Sequence, residues 1–139
     1  MRQTWIRGFT LIELLVVLVI LGLIASVVGP RVVGYLGGAK SDTAKLQIEE
    51  ISAALDLYKI ELGRYPTTEE GLQALVQAPA AATGWRGPYL KKKIMPKDPW
   101  GNPYHYAAPG QHGVFDVYSY GADNRQGGED ENKDVVSWE

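Results

Sequence analysis

From Gly8 to Val28 the chain reads G-F-T-L-I-E-L-L-V-V-L-V-I-L-G-L-I-A-S-V-V, and between Phe9 and Val28 its one formal charge is Glu13. About 20 apolar residues at 1.5 Å rise give roughly 30 Å of helix, the thickness of a bilayer core. A carboxylate inside such a segment costs about 2.5–3.5 kcal/mol on insertion scales. The segment therefore asks for a partner that offsets Glu13.

Arg2 and Arg7 precede the apolar run. The excess of basic residues on that side predicts a cytoplasmic N-terminus, with the rest of the chain across the membrane. The run is too long for the apolar region of a secretory signal peptide, and no clean A-x-A site follows it. The stretch R-G-F-T-L-I-E-L, residues 7–14, resembles the class III signal of type IV pilins and pseudopilins. The resemblance implies cleavage by a prepilin peptidase between Gly8 and Phe9, on the cytoplasmic side, and methylation of the new Phe9 amine. It also makes Glu13 the glutamate that pairs with the Phe9 amine of a neighbouring subunit, which supplies the missing partner. A plain signal anchor with one tolerated polar residue is the alternative. Against it stands the ordered match of Gly8, Phe9, Thr10, Leu11, Ile12 and Glu13.

The apolar run ends in a patch that weakens a helix: Gly29, Pro30, Gly34, Gly37 and Gly38, with Gly22 earlier. Pro30 removes one helical hydrogen bond and crowds the carbonyl of Ser26. Each glycine costs about 1 kcal/mol relative to alanine. In an isolated subunit a kinked but continuous helix is expected. The pilin resemblance implies that the segment from Gly22 to Pro30 partly melts when subunits pack, which makes Pro30 an assembly residue. Beyond it Ala44, Ile48, Ile51, Leu55, Tyr58 and Leu62 recur at spacings of 4, 3, 4, 3 and 4 residues. That is one apolar stripe on an amphipathic helix. Gly63 is placed to cap it and Pro66 prevents continuation.

The remaining chain gives shorter signals. Thr67 and Glu70 have capping-box spacing ahead of Leu72, Leu75 and Val76, which predicts a short helix from about Thr68 to Gln77. M-P-K-D-P-W-G-N-P-Y, residues 95–104, is too rich in proline for a central strand or helix. Tyr104–Ala107 and Val114–Tyr120 alternate in polarity around a turn near Pro109-Gly110. They predict a small antiparallel sheet over the stripe of the long helix, with Phe115, Val117 and Ser119 on one face and Asp116, Tyr118 and Tyr120 on the other. The fold class is thus α+β. The expected organisation is a cleaved leader over 1–8, a transmembrane helix over 9–28, the amphipathic remainder of that helix over 29–62 and a globular region over 63–139.

Composition narrows the function. The 139 residues carry no cysteine and a net charge of −2. No disulfide framework is possible, and no basic surface points to nucleic acid. Lys91–Lys93 reads as a solvated edge. His105 and His112 are the only histidines, and without cysteines they make no zinc set. No Ser-His-Asp set, nucleotide loop or metal-catalysis cluster is apparent, so the chain is not expected to be an enzyme. The tail, by contrast, is acidic. Asp123, Asp130, Asn132 and Asp134 crowd oxygen donors into a loop with Gly121, Gly127 and Gly128. Hard oxygen donors at irregular spacing suit calcium, and the offsets are not those of an EF-hand. A merely solvated acidic tail is the alternative.

Four stretches narrow the resemblance: G-R-Y-P-T-T-E-E-G-L-Q-A-L (63–75), P-Y-L-K-K (88–92), D-P-W-G-N-P-Y (98–104) and F-D-V-Y-S-Y-G-A-D-N (115–124). They resemble the major pseudopilin family of the type II secretion system. That resemblance implies a structural subunit of a helical homo-oligomer anchored in the inner membrane, its C-terminal domain in the periplasm. Its partners would be the prepilin peptidase, minor pseudopilins and the inner-membrane assembly platform. The filament helps move folded exoproteins across the outer membrane. A type IV pilin or a DNA-uptake pseudopilin is the alternative. The same resemblance implies calcium in the tail loop, held by Asp123, Asp134 and the carbonyl of Tyr120, with Asp130 and Asn132 as further donors. The tail departs from the family's D-I-G-N-W ending, reading Asp134-Val135-Val136-Ser137-Trp138, and the tryptophan is expected to keep its packing role.

Overall fold

The structure, a computed structural model, describes residues 8–139. One helix, α1 (Leu11–Leu62), runs through Pro30 without interruption. Three short strands come after it: β1 (His105–Ala107), β2 (Asp116–Ser119) and β3 (Val135–Val136). They form one antiparallel sheet in the order β1-β2-β3, with Tyr106 opposite Val117 and Ser119 opposite Val135. Residues 1–7 of the expected leader lie outside the described residues. The chain divides into two compact units, one ending at Leu36 and the other spanning Gly37–Glu139.

In the first unit α1 is apolar all round, and its side chains are exposed. It is long and apolar enough to cross a membrane. A helix of this kind is stabilised by its surroundings rather than by its own chain. In the second unit the periodicity does its expected work. Ala44, Ile48, Ile51, Leu55 and Tyr58 are all buried, and the last four pack with Leu72, Leu75, Leu90, Tyr104 and Val117 in one core. Leu62 packs at its margin. The helix stops where its glycine predicts: Gly63 takes φ 77° and donates its N–H to the Lys59 carbonyl at 2.7 Å.

Three expectations need correction. The helix predicted over Thr68–Gln77 is a single 3-10 turn, Leu72–Leu75. The capping box itself forms, with Glu70 N–H donating to Thr67 Oγ1 (3.2 Å) and Thr67 N–H to the Glu70 carboxylate (2.8 Å). It closes a turn rather than opening a helix, because Gly71 comes next at φ 61°. Glu70 is also held in a bidentate pair by Arg64, at 2.6 and 2.8 Å. The strands are shorter than predicted, since Tyr104, Val114, Phe115 and Tyr120 fall outside the ladder. Asp116, placed by alternation on the outer face, is buried: its carboxylate turns back to accept the N–H groups of Gln111 and His112 and meets the His112 ring. Beyond these three, β3 is an unpredicted strand, its apolar pair too short to register by alternation.

Candidate functional site

The N-terminal candidates are close together on the chain. Gly8 and Phe9 precede the helix, and Thr10 stands at its N-cap position. Glu13 N–H donates to Thr10 Oγ1 (3.3 Å), and Thr10 N–H donates to the Glu13 carboxylate (3.1 Å). This is a second capping box, with the acid in the first helical turn where the helix dipole favours it. The sequence reading assigns Glu13 only a partner on a neighbouring subunit. Within one chain the carboxylate already has a backbone donor. The T-x-x-E spacing that marks Thr67 and Glu70 was available at Thr10 and Glu13 as well. Pro30 sits inside α1, where Gly22, Gly29 and Gly34 have no heavy atom within 4 Å of an added Cβ.

The C-terminal candidates lie on the connection between β2 and β3. Gly121 opens it at φ 69°, packed so tightly on residues 131–133 that an added Cβ would stand 2.7 Å from the Glu131 carbonyl oxygen. The loop closes on itself through Ala122 N–H to the Glu131 carbonyl (2.8 Å) and Gly127 N–H to Asp134 Oδ2 (2.9 Å). Tyr120 is half-buried at the mouth. Asp123 is exposed and accepts Arg125 N–H at 3.1 Å. Asp130 begins a 3-10 turn at φ 52°, and Asn132 ends it, its N–H on the Glu129 carbonyl. Asp130 and Asp134 share a hollow of about 160 Å³ with Asp42, Lys45 and Lys133.

Asp134 carries the test of whether this loop fits a cation. Its Oδ1 is buried and has no hydrogen-bond partner. An orphaned, buried carboxylate oxygen is costly unless something positive meets it. Negative charge is also felt nearby. The Tyr118 phenol is pushed up to about 12, first by its hydrogen bond with Tyr120, then by burial, with the charges of Asp116 and Asp134 adding to it. Among the described residues no group of three or more acidic or histidine side chains gathers at one point. A calcium set built here would have to draw on backbone carbonyls as well as carboxylates, as oxygen-rich calcium sites commonly do. The observation in this loop that suits a cation is the buried, unpartnered Asp134 oxygen.

Trp138 keeps a packing role: it stacks on His112, ring centroids 3.9 Å apart and planes at 6°. His112 Nδ1 lies 3.0 Å from Asp116 Oδ2. Burial by itself would raise the Asp116 carboxyl. The hydrogen bonds from the His112 ring and from the Gln111 and His112 N–H groups outweigh it and hold the carboxyl below the usual range.

A basic-flanked apolar helix headed by Gly8-Phe9 and joined to a small α+β domain defines a class, that of pilin-like subunits. Residues 6–29 match the prokaryotic N-terminal methylation motif. Residues 31–138 match the family described as type II secretion system (T2SS), protein G, and the chain belongs to that family. It is 49% identical over 143 residues to the type II secretion system core protein G of Pseudomonas aeruginosa, covering 100% of this chain and 99% of that one. It is 46% identical over 135 residues to the Aeromonas hydrophila protein of the same name, covering 94% and 91%. The crystal structure of the major pseudopilin from the type 2 secretion system of enterohaemorrhagic Escherichia coli superposes with a TM-score of 0.65 at 33% identity, covering 76% of this chain and 87% of that one. The family is one of structural pseudopilin subunits, and the chain is not an enzyme. These findings favour the secretion pseudopilin over a type IV pilin or DNA-uptake subunit.

Proposed function

We propose that the chain is the repeating subunit of a periplasmic pseudopilus. It is cut between Gly8 and Phe9 by the prepilin peptidase, methylated on Phe9 and held by its apolar helix in the inner membrane. From there it is drawn into a helical homo-oligomer with minor pseudopilins and the assembly platform. The growing filament helps move folded exoproteins across the outer membrane. One observation carries the reading: a methylation motif over 6–29 is joined directly to a protein G region over 31–138. Leu46, Leu57 and Ile60 support it, standing exposed on α1 outside the buried stripe. Glu13 exchanges its own Thr10 N–H for the Phe9 amine of a neighbour, where two charges that are costly in lipid offset one another. The experiment combines intact mass with crosslinking. The mature chain is expected to begin at methylated Phe9, and Glu13→Ala is expected to leave monomer levels intact while crosslinked oligomers fall. Wild-type levels of oligomer in Glu13→Ala would remove the charge pairing.

The loop from Tyr120 to Asp134 is proposed to hold calcium through Asp123, Asp134 and the Tyr120 carbonyl, with Asp130 and Asn132 as further donors. The orphaned Asp134 oxygen supports this. An ion that binds only the folded state stabilises it by about 2.7 kcal/mol at a hundredfold excess over Kd. Full-length chain in detergent should melt higher in calcium than in chelator. Asp123→Ala and Asp134→Ala should each remove most of the difference, and Glu129→Ala little of it. Equal melting of the wild type in the two conditions would leave the loop an ordinary acidic connection.

A further inference from the structure

Asp98 is only 4% exposed, and among the described residues its carboxylate enters no ion pair. Three neutral donors surround it instead. Trp100 N–H (3.1 Å) and Asn102 N–H (2.8 Å) meet Oδ1, and the Ser119 hydroxyl (2.6 Å) meets Oδ2. The backbone around it is closed as well, with Asp98 N–H on the Asn102 carbonyl and Gly101 N–H on the Asp98 carbonyl. A buried carboxylate held only by neutral donors is expensive. The far side of those donors gives it a purpose. The Ser119 hydroxyl, having donated its proton to Asp98, presents its oxygen to Gly121 N–H at 3.2 Å. Asn102 Nδ2–H donates to the Gly121 carbonyl at 3.3 Å. Gly121 is thus held at both its polar backbone groups by one network centred on Asp98.

The peptide joining Tyr120 to Gly121 is planar and trans, so the Tyr120 carbonyl points opposite to the Gly121 N–H. Fixing that N–H on Ser119 fixes the direction of the Tyr120 carbonyl. We propose that Asp98 is a positioning residue for the cation loop: through Ser119 it aims the Tyr120 carbonyl before the ion arrives. The inference rests on the calcium reading above and adds to it a residue about 20 positions upstream of the loop. The Ser119 hydroxyl donates to Asp98 and accepts from Gly121 N–H, so its proton lies toward Asp98 and a lone pair toward Gly121. Groups that orient a ligand from behind commonly change metal affinity about 10–100-fold when removed.

The test is calcium titration by calorimetry of the full-length chain in detergent, at a temperature where every variant is folded, with melting in calcium and in chelator beside it. Asp98→Asn and Ser119→Ala are each expected to weaken calcium binding by about 10-fold. Because Asp98 and Ser119 belong to one network on Gly121, the double variant should lose less than the sum of the two single losses, and fully additive losses would overturn the shared network. A purely structural role would lower melting equally in calcium and in chelator and leave affinity untouched, which would overturn the proposal. A wild type without any calcium response would overturn the calcium reading and this one together. A responsive wild type with equally responsive variants would overturn this one alone. Should Asp98→Asn fail to fold, amide exchange in the wild type decides. Gly121 N–H is expected to be protected even in chelator, and exchange at the rate of an open chain would refute a pre-aimed carbonyl.

Discussion

The two ends of α1 are built from the same backbone and serve opposite solvents. Before Leu36 leucine, valine and isoleucine stand exposed on every side, and after Gly37 the apolar residues that are buried fall on one stripe. The first segment has no core of its own and owes its helix to an apolar surrounding, with the Thr10–Glu13 capping box at its start. The second is held by tertiary packing on Leu72, Leu75, Tyr104 and Val117. Apolar content alone therefore says little about where stability resides. The deciding property is whether the chain itself covers the apolar side chain.

The largest expected effect separates the two segments directly. Leu55 is fully buried, and Leu55→Ala should destabilise the second unit by about 2–5 kcal/mol, combining lost transfer energy with a cavity. Leu18 is exposed, and Leu18→Ala should leave the same melting curve in detergent unchanged. Equal losses would mean that the two segments share one cooperative unit after all.

A middle-sized effect tests the charges. The folded-state carboxyl of Asp116 lies below its ordinary value. Its contribution is therefore present above the unfolded value, about 3.9, and is lost as pH falls through the lower folded value. Glu70 behaves in the same sense, its carboxyl lowered first by the Arg64 hydrogen bond, against which burial works. Asp116→Asn should melt lower than wild type at about pH 6 and converge with it toward about pH 2, the span of the titration. Glu13→Gln should leave the acid limb unaltered, because no part of the second unit's core rests on it. An acid limb that shifts with Glu13→Gln would break the separation.

The smallest effect uses two glycines of the one helix. A Cβ on Gly37 would collide with the Glu131 side chain, whereas one on Gly29 meets nothing within 4 Å. Gly37→Ala should lower melting stability by about 1 kcal/mol as Glu131 is displaced, the crowding outweighing the gain in helix propensity. Gly29→Ala should be neutral for the second unit. A neutral Gly37→Ala would show that the Glu131 side chain simply swings away.

The parts legible in the sequence were those with local signatures. The stripe from Ala44 to Leu62 obeys the helical period, and Gly63 caps it, because both depend on residues a few positions apart. The class III signal is likewise a contiguous string. The short strand β3 is two residues long and pairs at Val135 and Val136 only, too little for alternation to register. Capping-box spacing overstates the Leu72–Leu75 turn because it is blind to the next residue, and here Gly71 redirects the chain. In the candidate loop, the residue types announced oxygen donors. The link from Asp98 to Ser119 spans 21 positions and leaves no pattern in either neighbourhood.

The loop that carries those donors also decides how wide the sheet is. β3 is reached only through it, and beyond the two-residue ladder the tail is fastened to β2 by Ser137 N–H on the Val117 carbonyl (2.9 Å) and by Val117 N–H on Ser137 Oγ (3.1 Å). Were the loop to open, β3 would leave with it, and β2 would pass from central strand to edge. An uncovered edge pairs readily with any strand that meets it. Closure of the loop therefore keeps β2 covered, so that a subunit proposed to polymerise does not offer a second route of association through its sheet.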